Sequence, residues 1–477
     1  MDKKIINKIP FWVSSWQYKN KDKNRNVVGV KEKILIEYED GTSEYKDNLK
    51  YYEDPVRAFW ITKPEFRNHE YKKEFEDEYK CEMFTCRDSE LEDQLELALG
   101  YRPGFRKRTL RQLCSSPYVY GADIDIQTLI KQKYMRNIPT GKVAQYTRGS
   151  LDIENEVRGE KRINVITYAH EKEVYTAALR EYCKIEQEDK TFKEATEEDC
   201  LQIIGKIVGN YLDEYKFNIH FVIKDTELEV IKWIFDRIHE NKTDYIGVWN
   251  LGFDIPQIIS RLENLGVDPA SVMCHPDVPK DIQFVEWVQD NKEVQHFTDK
   301  WHWVYIAGYS QFLDSMCLYA RLRKVYGRDS SYSLDDIAAK ELGLTKIHFG
   351  AINNHYYMQN HRFLEYIAYN INDVLLVQLM EEKNNDMTAL IGLSGMSTIA
   401  QFSRQTTLVR NDNYQYGRKC GKLLASVGTD MFTEYDKMMP KAGGTVLPPN
   451  KAVNVGVNII EEFDRPTQVC LYTDDLD

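Results

Sequence analysis

The chain has 477 residues, of which 42% are hydrophobic and 29% charged, and its formal net charge is −12. That composition and length are typical of a globular protein with about two to four domains. The sequence shows no run of about 18 apolar residues and no signal-type segment after Met1, so we expect no membrane partner, no export and a cytoplasmic location. The excess of acid argues against a general polyanion-binding surface. Any role with nucleic acid would need local basic patches or metal ions.

The first hundred residues combine strand-like and helical patterns. Residues 27–30 and 34–38 predict strands, and Asp40-Gly41 after the second is a turn signal, so we expect a small antiparallel sheet. Residues 68–99 are charged and predict a helix. The basic cluster that follows consists of Arg102, Arg106, Lys107, Arg108 and Arg111. It could contact phosphates, or it could be a solvated face beside the acidic residues 90–96.

Between residues 148 and 380 strands alternate with helices, which is typical of an α/β domain. The strand-like segments are residues 163–169, 218–223 and 245–249. Thr226 and Glu229 have the spacing of a capping box, and residues 253–265 predict an amphipathic helix. Aromatic and branched residues over 284–298 indicate a protruding hairpin.

Carboxylates occur in three short segments of this region. The first holds Asp152 and Glu154, which on a strand point to one face while Leu151 and Ile153 enter the core. The second holds Asp254, where a strand ends and a helix begins, a place at which α/β folds commonly build sites. Each has a structural alternative. The first pairing is common in acidic proteins, and Asp254 alone could cap its helix.

The third segment lies in a helical stretch and holds Tyr369 and Asp373, which are one turn apart and share a face. Asp373 alone could be an exposed helix carboxylate. Four carboxylates brought together without cations would repel one another, so the combination favours divalent metal ions. Two such ions about 4 Å apart can clamp the attacking and leaving oxygens of a phosphoryl displacement. A nearby phenol could orient the water or help to deprotonate it.

These segments resemble, in order and spacing, the three exonuclease motifs of family B DNA polymerases, specifically the replicative polymerases of tailed bacteriophages. The motifs are D-I-E at 152–154, W-N-x-x-F-D-x-P at 249–256 and Y-N-x-x-D-V at 369–374. The connecting segments 119–124, 312–319 and 332–338 are similar too. Ala368 stands where the histidine variant of this nuclease superfamily would carry His, which favours the tyrosine type.

The resemblance implies a ribonuclease-H-like 3′→5′ exonuclease domain in a multidomain α/β and α+β chain. Such a domain would bind primer-template and single-stranded DNA and use two divalent ions, Mg²⁺ or Mn²⁺. The implied metal-binding and catalytic residues are Asp152, Glu154, Asp254, Tyr369 and Asp373. Of these, Tyr369 would position the water and the four carboxylates would bind metal. Asn250 and Phe253 match family positions near the primer terminus, although Phe253 could also be a core aromatic.

The resemblance also divides the chain into parts. It predicts an N-terminal mixed domain over 1–147, the exonuclease domain over 148–385, a return to the N-terminal domain over 386–428 and the start of a polymerase palm over 429–477. In that register Asp477 would be the first polymerase metal ligand, although the end could also be an acidic tail. Because the later palm motifs, fingers and thumb do not occur in these residues, we expect DNA synthesis only with a second polypeptide, as in a phage-encoded split polymerase.

The sequence is compatible with three functions. The first is a proofreading exonuclease that combines with the second polypeptide. The second is a nucleic-acid-binding assembly scaffold of a split polymerase, with little nuclease activity on its own, and the third is a free-standing repair exonuclease. A zinc site at His69, Cys81, Cys86 and Cys114 is disfavoured because a second clean ligand pair is missing. The nine scattered cysteines predict reduced thiols.

Overall fold

The computed structural model describes residues 3–20, 25–69, 72–101, 108–290, 296–347 and 354–427. The chain divides into two compact units, which are described separately. The first comprises Met1–Arg57, Thr85–Glu90 and Ile124–Lys422, and the second comprises Ala58–Phe84, Leu91–Asp123 and Leu423–Asp477. The predicted palm start with Asp477, and the basic residues Arg102, Arg106 and Lys107, lie outside the described residues. The sequence-based domain bounds stay predictions.

Strands and helices alternate over much of the described chain. The strands are β1 (Ile5–Asn20), β2 (Arg25–Tyr38), β3 (Ser43–Glu53), β4 (Val56–Thr62), β5 (Phe75–Asp77), β6 (Cys81–Arg87), β7 (Val119–Tyr120), β8 (Arg148–Asn155), β9 (Ile163–His170), β10 (Glu173–Leu179), β11 (Lys184–Glu186), β12 (Phe192–Glu194), β13 (Asn218–Lys224), β14 (Tyr245–Val248), β15 (Val285–Val288), β16 (Trp303–Ile306), β17 (Gln311–Asp314) and β18 (Lys422–Leu424). The helices are α1 (Leu91–Ala98), α2 (Leu110–Leu113), α3 (Ile126–Asn137), α4 (Glu197–Tyr215), α5 (Glu227–Asn241), α6 (Leu251–Asn264), α7 (Pro269–Met273), α8 (Ser315–Arg323), α9 (Leu334–Leu342), α10 (His355–His361), α11 (Phe363–Asn384), α12 (Asp386–Leu393) and α13 (Gln405–Lys419).

A three-stranded antiparallel sheet, in the order β1-β2-β3, begins the first unit. The two strands predicted at 27–30 and 34–38 are parts of the single strand β2. The predicted turn is confirmed, since Gly41 connects β2 to β3 with φ of 81°. Gly29 of β2 leaves space for the ring of Trp16 on the paired strand β1. A Cβ at position 29 would lie 2.3 Å from that ring.

The central element of the first unit is a six-stranded mixed sheet in the order β13-β10-β9-β8-β14-β17. Strand β9 runs antiparallel to β8 and β10, whereas β14 runs parallel to β8 and to β17. Apolar side chains of α5 and α6 cover one face of the sheet, and those of α4 and α11 cover the other. The predicted mixed α/β character is therefore confirmed, and the capping box of Thr226 and Glu229 opens α5 as expected.

The predicted helix over 68–99 is wrong for most of its length. Strands β5 and β6 occupy its centre, and α1 near its end is the one α-helix among the described residues of this range. Strand β6 lies in a sheet of order β6-β4-β7, so pairing with a neighbouring strand overrides the charged helical pattern. Arg108 lies 3.7 Å from Glu96 of α1, which favours the solvated-face interpretation of that part of the basic cluster.

The predicted hairpin over 284–298 is displaced. Strand β15 pairs antiparallel with β16, which begins only at Trp303, and residues 291–295 lie outside the described part. None of the eight cysteines within the described ranges forms a disulfide. Across the same ranges, none of the helices combines the length and the apolar character that crossing a bilayer requires.

Candidate metal and active site

Strand β8 presents Asp152 and Glu154 to one face of the six-stranded sheet. Leu151 and Ile153 are buried on the opposite face, in the cluster that α5 and α6 complete. Because side chains alternate along a strand, the two carboxylates point to the side that α11 covers. The predicted strand geometry of this pair is therefore confirmed.

Helix α11 brings a polar face to these carboxylates. Its residues at spacing i, i+3, i+4 and i+7 are Tyr366, Tyr369, Asn370 and Asp373. Ser150 of β8 fixes the helix on the strand, because its hydroxyl donates to the carbonyl of Val374 at 3.0 Å. As a result, one oxygen each of Asp152, Glu154 and Asp373 lies within 4.8 Å of the others. Asp373 is 3% exposed, so the exposed-carboxylate alternative is wrong.

Two further side chains of α11 bond to the carboxylates of β8. The Tyr366 hydroxyl donates to Glu154 Oε2, and Asn370 Nδ2 donates to Asp152 Oδ2 at 2.7 Å. These contacts restrict the orientation of both carboxylates. Asn370 lies within the third motif, but neither it nor Tyr366 was among the predicted site residues. The helical period counted back from Asp373 would have found them.

Asp254 approaches the same edge of the sheet from α6. This helix begins directly after β14, the parallel neighbour of β8, so the residues that follow both strands meet at one edge. The N-cap of α6 is Asn250, whose side chain makes no capping hydrogen bond, and the suggestion that Asp254 caps the helix is wrong. Instead, the carboxylate of Asp254 is buried, and the nearby backbone N–H of Ile153 opposes the rise in its pKa that burial causes.

Burial raises the pKa of every carboxyl group in the cluster, and repulsion by other cluster carboxylates adds to it at Asp152, Glu154 and Asp254. Burial raises the pKa of Asp152 well above its usual 3.8, and the charges of Asp254, Asp373 and Glu154 add to the effect. Burial is also the largest cause of the raised pKa of Glu154 and of Asp254. For Asp373 burial raises the pKa although the ammonium of Lys346 opposes the shift. The cluster is therefore unfavourable as four bare anions.

Lys346 is a site residue that the sequence analysis missed. Its ammonium contacts Asp373 Oδ2 and donates to the Tyr369 hydroxyl oxygen at 3.0 Å. Burial works against the charge, but Asp373 and Tyr369 raise the pKa of Lys346, so it is protonated at neutral pH. The backbone N–H of Lys346 donates to Asp335 at 2.7 Å. The residue lies just after α9, outside any helix or strand, where no periodicity could identify it.

The donor set fits hard divalent cations such as Mg²⁺ or Mn²⁺, which prefer carboxylate oxygens. Asp152, Glu154 and Asp373 form the one group of metal-ligand side chains that geometry brings together in the described part of the chain. Oδ1 of Asp373 is buried and has no hydrogen-bond partner among the described residues, so a ligand oxygen is available. Asp254 lies outside this close group, but its charge acts on Asp152.

An open pocket of about 630 Å³ borders the carboxylates. Its ring-bearing lining residues are Trp249, Phe253, Phe297, His302 and Tyr332. Phe253 is 49% exposed, so the interpretation of it as a core aromatic is wrong, and Asn250 lies beside it in the pocket wall. Lys300 adds a cation to the lining. Aromatic faces and a cation beside acidic residues suit an unstacked nucleotide whose phosphate meets bound metal.

Asp314 is a fifth carboxylate in the pocket lining, and it has a structural explanation. Its side chain caps α8 by accepting a hydrogen bond of 2.7 Å from the backbone N–H of Cys317. Burial raises its pKa to about 6. We therefore do not count Asp314 among the metal ligands.

Residues 119–337 match the family model of the DNA polymerase family B exonuclease domain. The matched segment includes Asp152, Glu154 and Asp254 and ends before Tyr369 and Asp373. In the fold, Asp373 lies close to Asp152 and Glu154. A search of curated proteins finds no match to the chain. The part of the chain that carries most of the site is thus similar to a nuclease domain.

Proposed function

We propose that this chain is a 3′→5′ exonuclease of the proofreading kind that accompanies family B DNA polymerases. The observation that carries the proposal is the close group of Asp152, Glu154 and Asp373 beside an aromatic pocket. The match of residues 119–337 to the family's exonuclease domain supports it. A ribonuclease-H-like fold for residues 148–385 is part of the proposal, supported by the mixed sheet that carries the carboxylate pair on β8.

In this proposal two divalent ions, Mg²⁺ or Mn²⁺, are held by the four carboxylates. Asp152 and Glu154 contribute from β8, Asp254 from α6 and Asp373 from α11. When bound, the ions supply positive charge that stabilises the attacking and leaving oxygens of the phosphodiester. Removal of the ions is therefore expected to abolish hydrolysis.

Tyr369 is assigned to orienting the attacking water. Burial, together with the charge of Asp373, raises the pKa of the Tyr369 hydroxyl, so this phenol stays protonated at neutral pH. A protonated phenol directs a water molecule by hydrogen bonding and is a poor base, which favours orientation over proton removal. Lys346 holds the hydroxyl oxygen at 3.0 Å and compensates part of the carboxylate charge.

The pocket lining supports a substrate with an unpaired 3′ end. Phe253 and Phe297 are about half exposed, so their faces are accessible to a base. Stacking on such faces requires a base that has left its own helix, as in single-stranded DNA or a frayed primer-template. Asn250 offers an amide at the same wall, and Lys300 offers a positive charge.

The test uses the 477-residue chain with 5′-labelled single-stranded DNA and Mg²⁺. We expect stepwise shortening from the 3′ end, reduced about a thousandfold or more in the Asp152→Asn/Glu154→Gln double variant, because several kcal/mol of metal stabilisation are lost. Asp281→Asn, at a carboxylate whose side chain is 57% exposed, is the control and should keep the activity. Retained activity in the double variant, or internal cleavage of the strand, would contradict the proposal.

Some expectations stay predictions from the sequence. They are DNA synthesis with a second polypeptide, the scaffold alternative, a phage origin and a cytoplasmic location. Residues 428–477, on which the predicted palm start depends, lie outside the described residues. Primer extension by this chain with and without a candidate partner tests the first of these predictions. Templated synthesis by the chain alone would contradict it.

A further inference from the structure

The geometry points to a second contact for the DNA strand at the turn formed by residues 324–328, which we call the Tyr326 turn. The inference rests on the proposed exonuclease function and adds a subsite to it. In this inference the single strand that leads away from the pocket passes over the turn. One of its bases stacks on Tyr326, while the neighbouring cations meet its phosphates.

The Tyr326 turn carries two large side chains that the fold does not use. Val325 is 74% exposed and Tyr326 is 88% exposed. Among the described residues, the ring of Tyr326 has no hydrogen bond and no partner ring. An accessible aromatic face of this kind can stack on any base, which is the sequence-independent way in which proteins hold single strands.

Ion pairs and a hydrogen bond hold the turn at the rim of the pocket. Lys324 Nζ and Arg328 Nη2 lie 3.1 Å and 2.7 Å from the two oxygens of Asp299. Asp299 directly precedes the pocket-lining Lys300 in the chain. On the other side, the backbone N–H of Asp329 donates to the hydroxyl of Tyr332 at 3.1 Å, and Tyr332 also lines the pocket.

The charge around the turn favours a polyanion locally, in contrast to the chain as a whole. Residues 315–328 contain four cations and no acid, although the chain has a net charge of −12. Arg323 is paired with Asp386 at 2.9 Å, and Lys324 and Arg328 share the carboxylate of Asp299, whereas Arg321 forms no ion pair with a described residue. Cations at the end of α8 also complement the helix dipole. That role does not account for the exposed ring of Tyr326.

A length comparison tests this contact. Single strands of about 4 and about 16 nucleotides are compared as substrates of the full chain, since only the longer strand extends well beyond the pocket. In Tyr326→Ala the ratio of kcat/KM for the long strand to that for the short one should fall about five- to tenfold, mainly through KM. Tyr326→Phe should preserve the ratio. Tyr416→Ala, at another exposed tyrosine, should preserve it too.

A binding measurement separates this inference from the exonuclease proposal. With EDTA present to prevent cleavage, the anisotropy of a labelled strand of about 16 nucleotides should report about five- to tenfold weaker binding to Tyr326→Ala than to Tyr326→Phe. If the chain cleaves no DNA, the exonuclease proposal fails, while this binding comparison still decides the role of Tyr326. Equal binding by the two variants, or an equal loss of kcat/KM on both strand lengths, would overturn the inference.

Discussion

The first unit contains two clusters of charged side chains with opposite designs, one buried and the other at the edge of the pocket. In one, Lys31 and Lys33 of β2 meet Asp244 just before β14, with Lys31 Nζ 2.5 Å from Asp244 Oδ1. Lys31 and Asp244 are both fully buried. In the other, four carboxylates face a single ammonium, that of Lys346. We call the first group the lysine pair site and the second the carboxylate cluster.

The difference lies in whether the protein neutralises its own charges. At the lysine pair site burial lowers the pKa of Lys31, and at Asp244 the two lysines overcome burial and lower the carboxyl pKa. Asp47 supplies a second carboxylate, 3.5 Å from Lys31 Nζ, so two lysines face two aspartates and the site is balanced. Thr147 and the Lys242 carbonyl add hydrogen bonds. The carboxylate cluster has raised carboxyl pKa values and is unbalanced. Balanced buried charges serve the fold, whereas unbalanced ones indicate a missing ligand of opposite charge.

The largest change in stability should appear when one aspartate at each site is replaced by asparagine and the two variants are compared. Asp244→Asn leaves Lys31 and Lys33 buried without their main partner, which should lower the free energy of unfolding by about 3–5 kcal/mol. Asp152→Asn removes repulsion and should leave the stability of the metal-free chain unchanged or slightly higher. Urea unfolding in EDTA at neutral pH measures both. A comparable loss of stability in the two variants would contradict the distinction between the sites.

A smaller effect is expected where a hydrogen bond orients a proposed ligand. Tyr366→Phe removes the donor to Glu154 and should weaken Mg²⁺ or Mn²⁺ binding about 10- to 100-fold, as loss of such support commonly does. Titration calorimetry measures the affinity, and saturating metal should recover most of the activity. Tyr211→Phe on α4 is the control and should bind metal normally. Unchanged affinity in Tyr366→Phe would show that this contact does not orient the ligand.

The smallest expected effect is the pH dependence of stabilisation by metal. The usual carboxyl pKa of 3.8 is raised in the folded chain at Asp152 and Asp254, so above pH 3.8 the folded state holds protons that the unfolded state has released. Metal-free stability should therefore fall as the pH rises through that window. At low pH Mg²⁺ must displace these protons in order to bind. The stabilisation of the folded chain by Mg²⁺ should therefore be about 1–3 kcal/mol larger at about pH 8 than at about pH 5.

Thermal unfolding with Mg²⁺ and with EDTA at the two pH values measures this difference. Asp152→Asn should reduce it, because one of the displaced protons is gone. Asp244→Asn should leave it unchanged, since its site holds no metal in the proposal. A stabilisation by Mg²⁺ that is equal at both pH values would argue against raised carboxyl pKa values at a metal site.

Short-range periodicity accounts for what could be predicted. The two-residue spacing of Asp152 and Glu154 and the four-residue spacing of Tyr369 and Asp373 hold in the structure, because strand and helix geometry act over a few residues. The same reasoning failed over residues 68–99. There, β6 forms a strand because it pairs with β4, although the charge pattern predicts a helix.

The spacing of residues along the chain is enough to predict the α/β character, the carboxylate pairs and the motifs that resemble a polymerase exonuclease. Only the tertiary structure brought Asn370 to 2.7 Å from Asp152, a residue 218 positions away. It also added Lys346, from a segment without periodicity, and left Tyr326 exposed at the pocket rim. The physical reason is that hydrogen bonding within a strand or helix is local, whereas the meeting of charges depends on how sheet and helices pack.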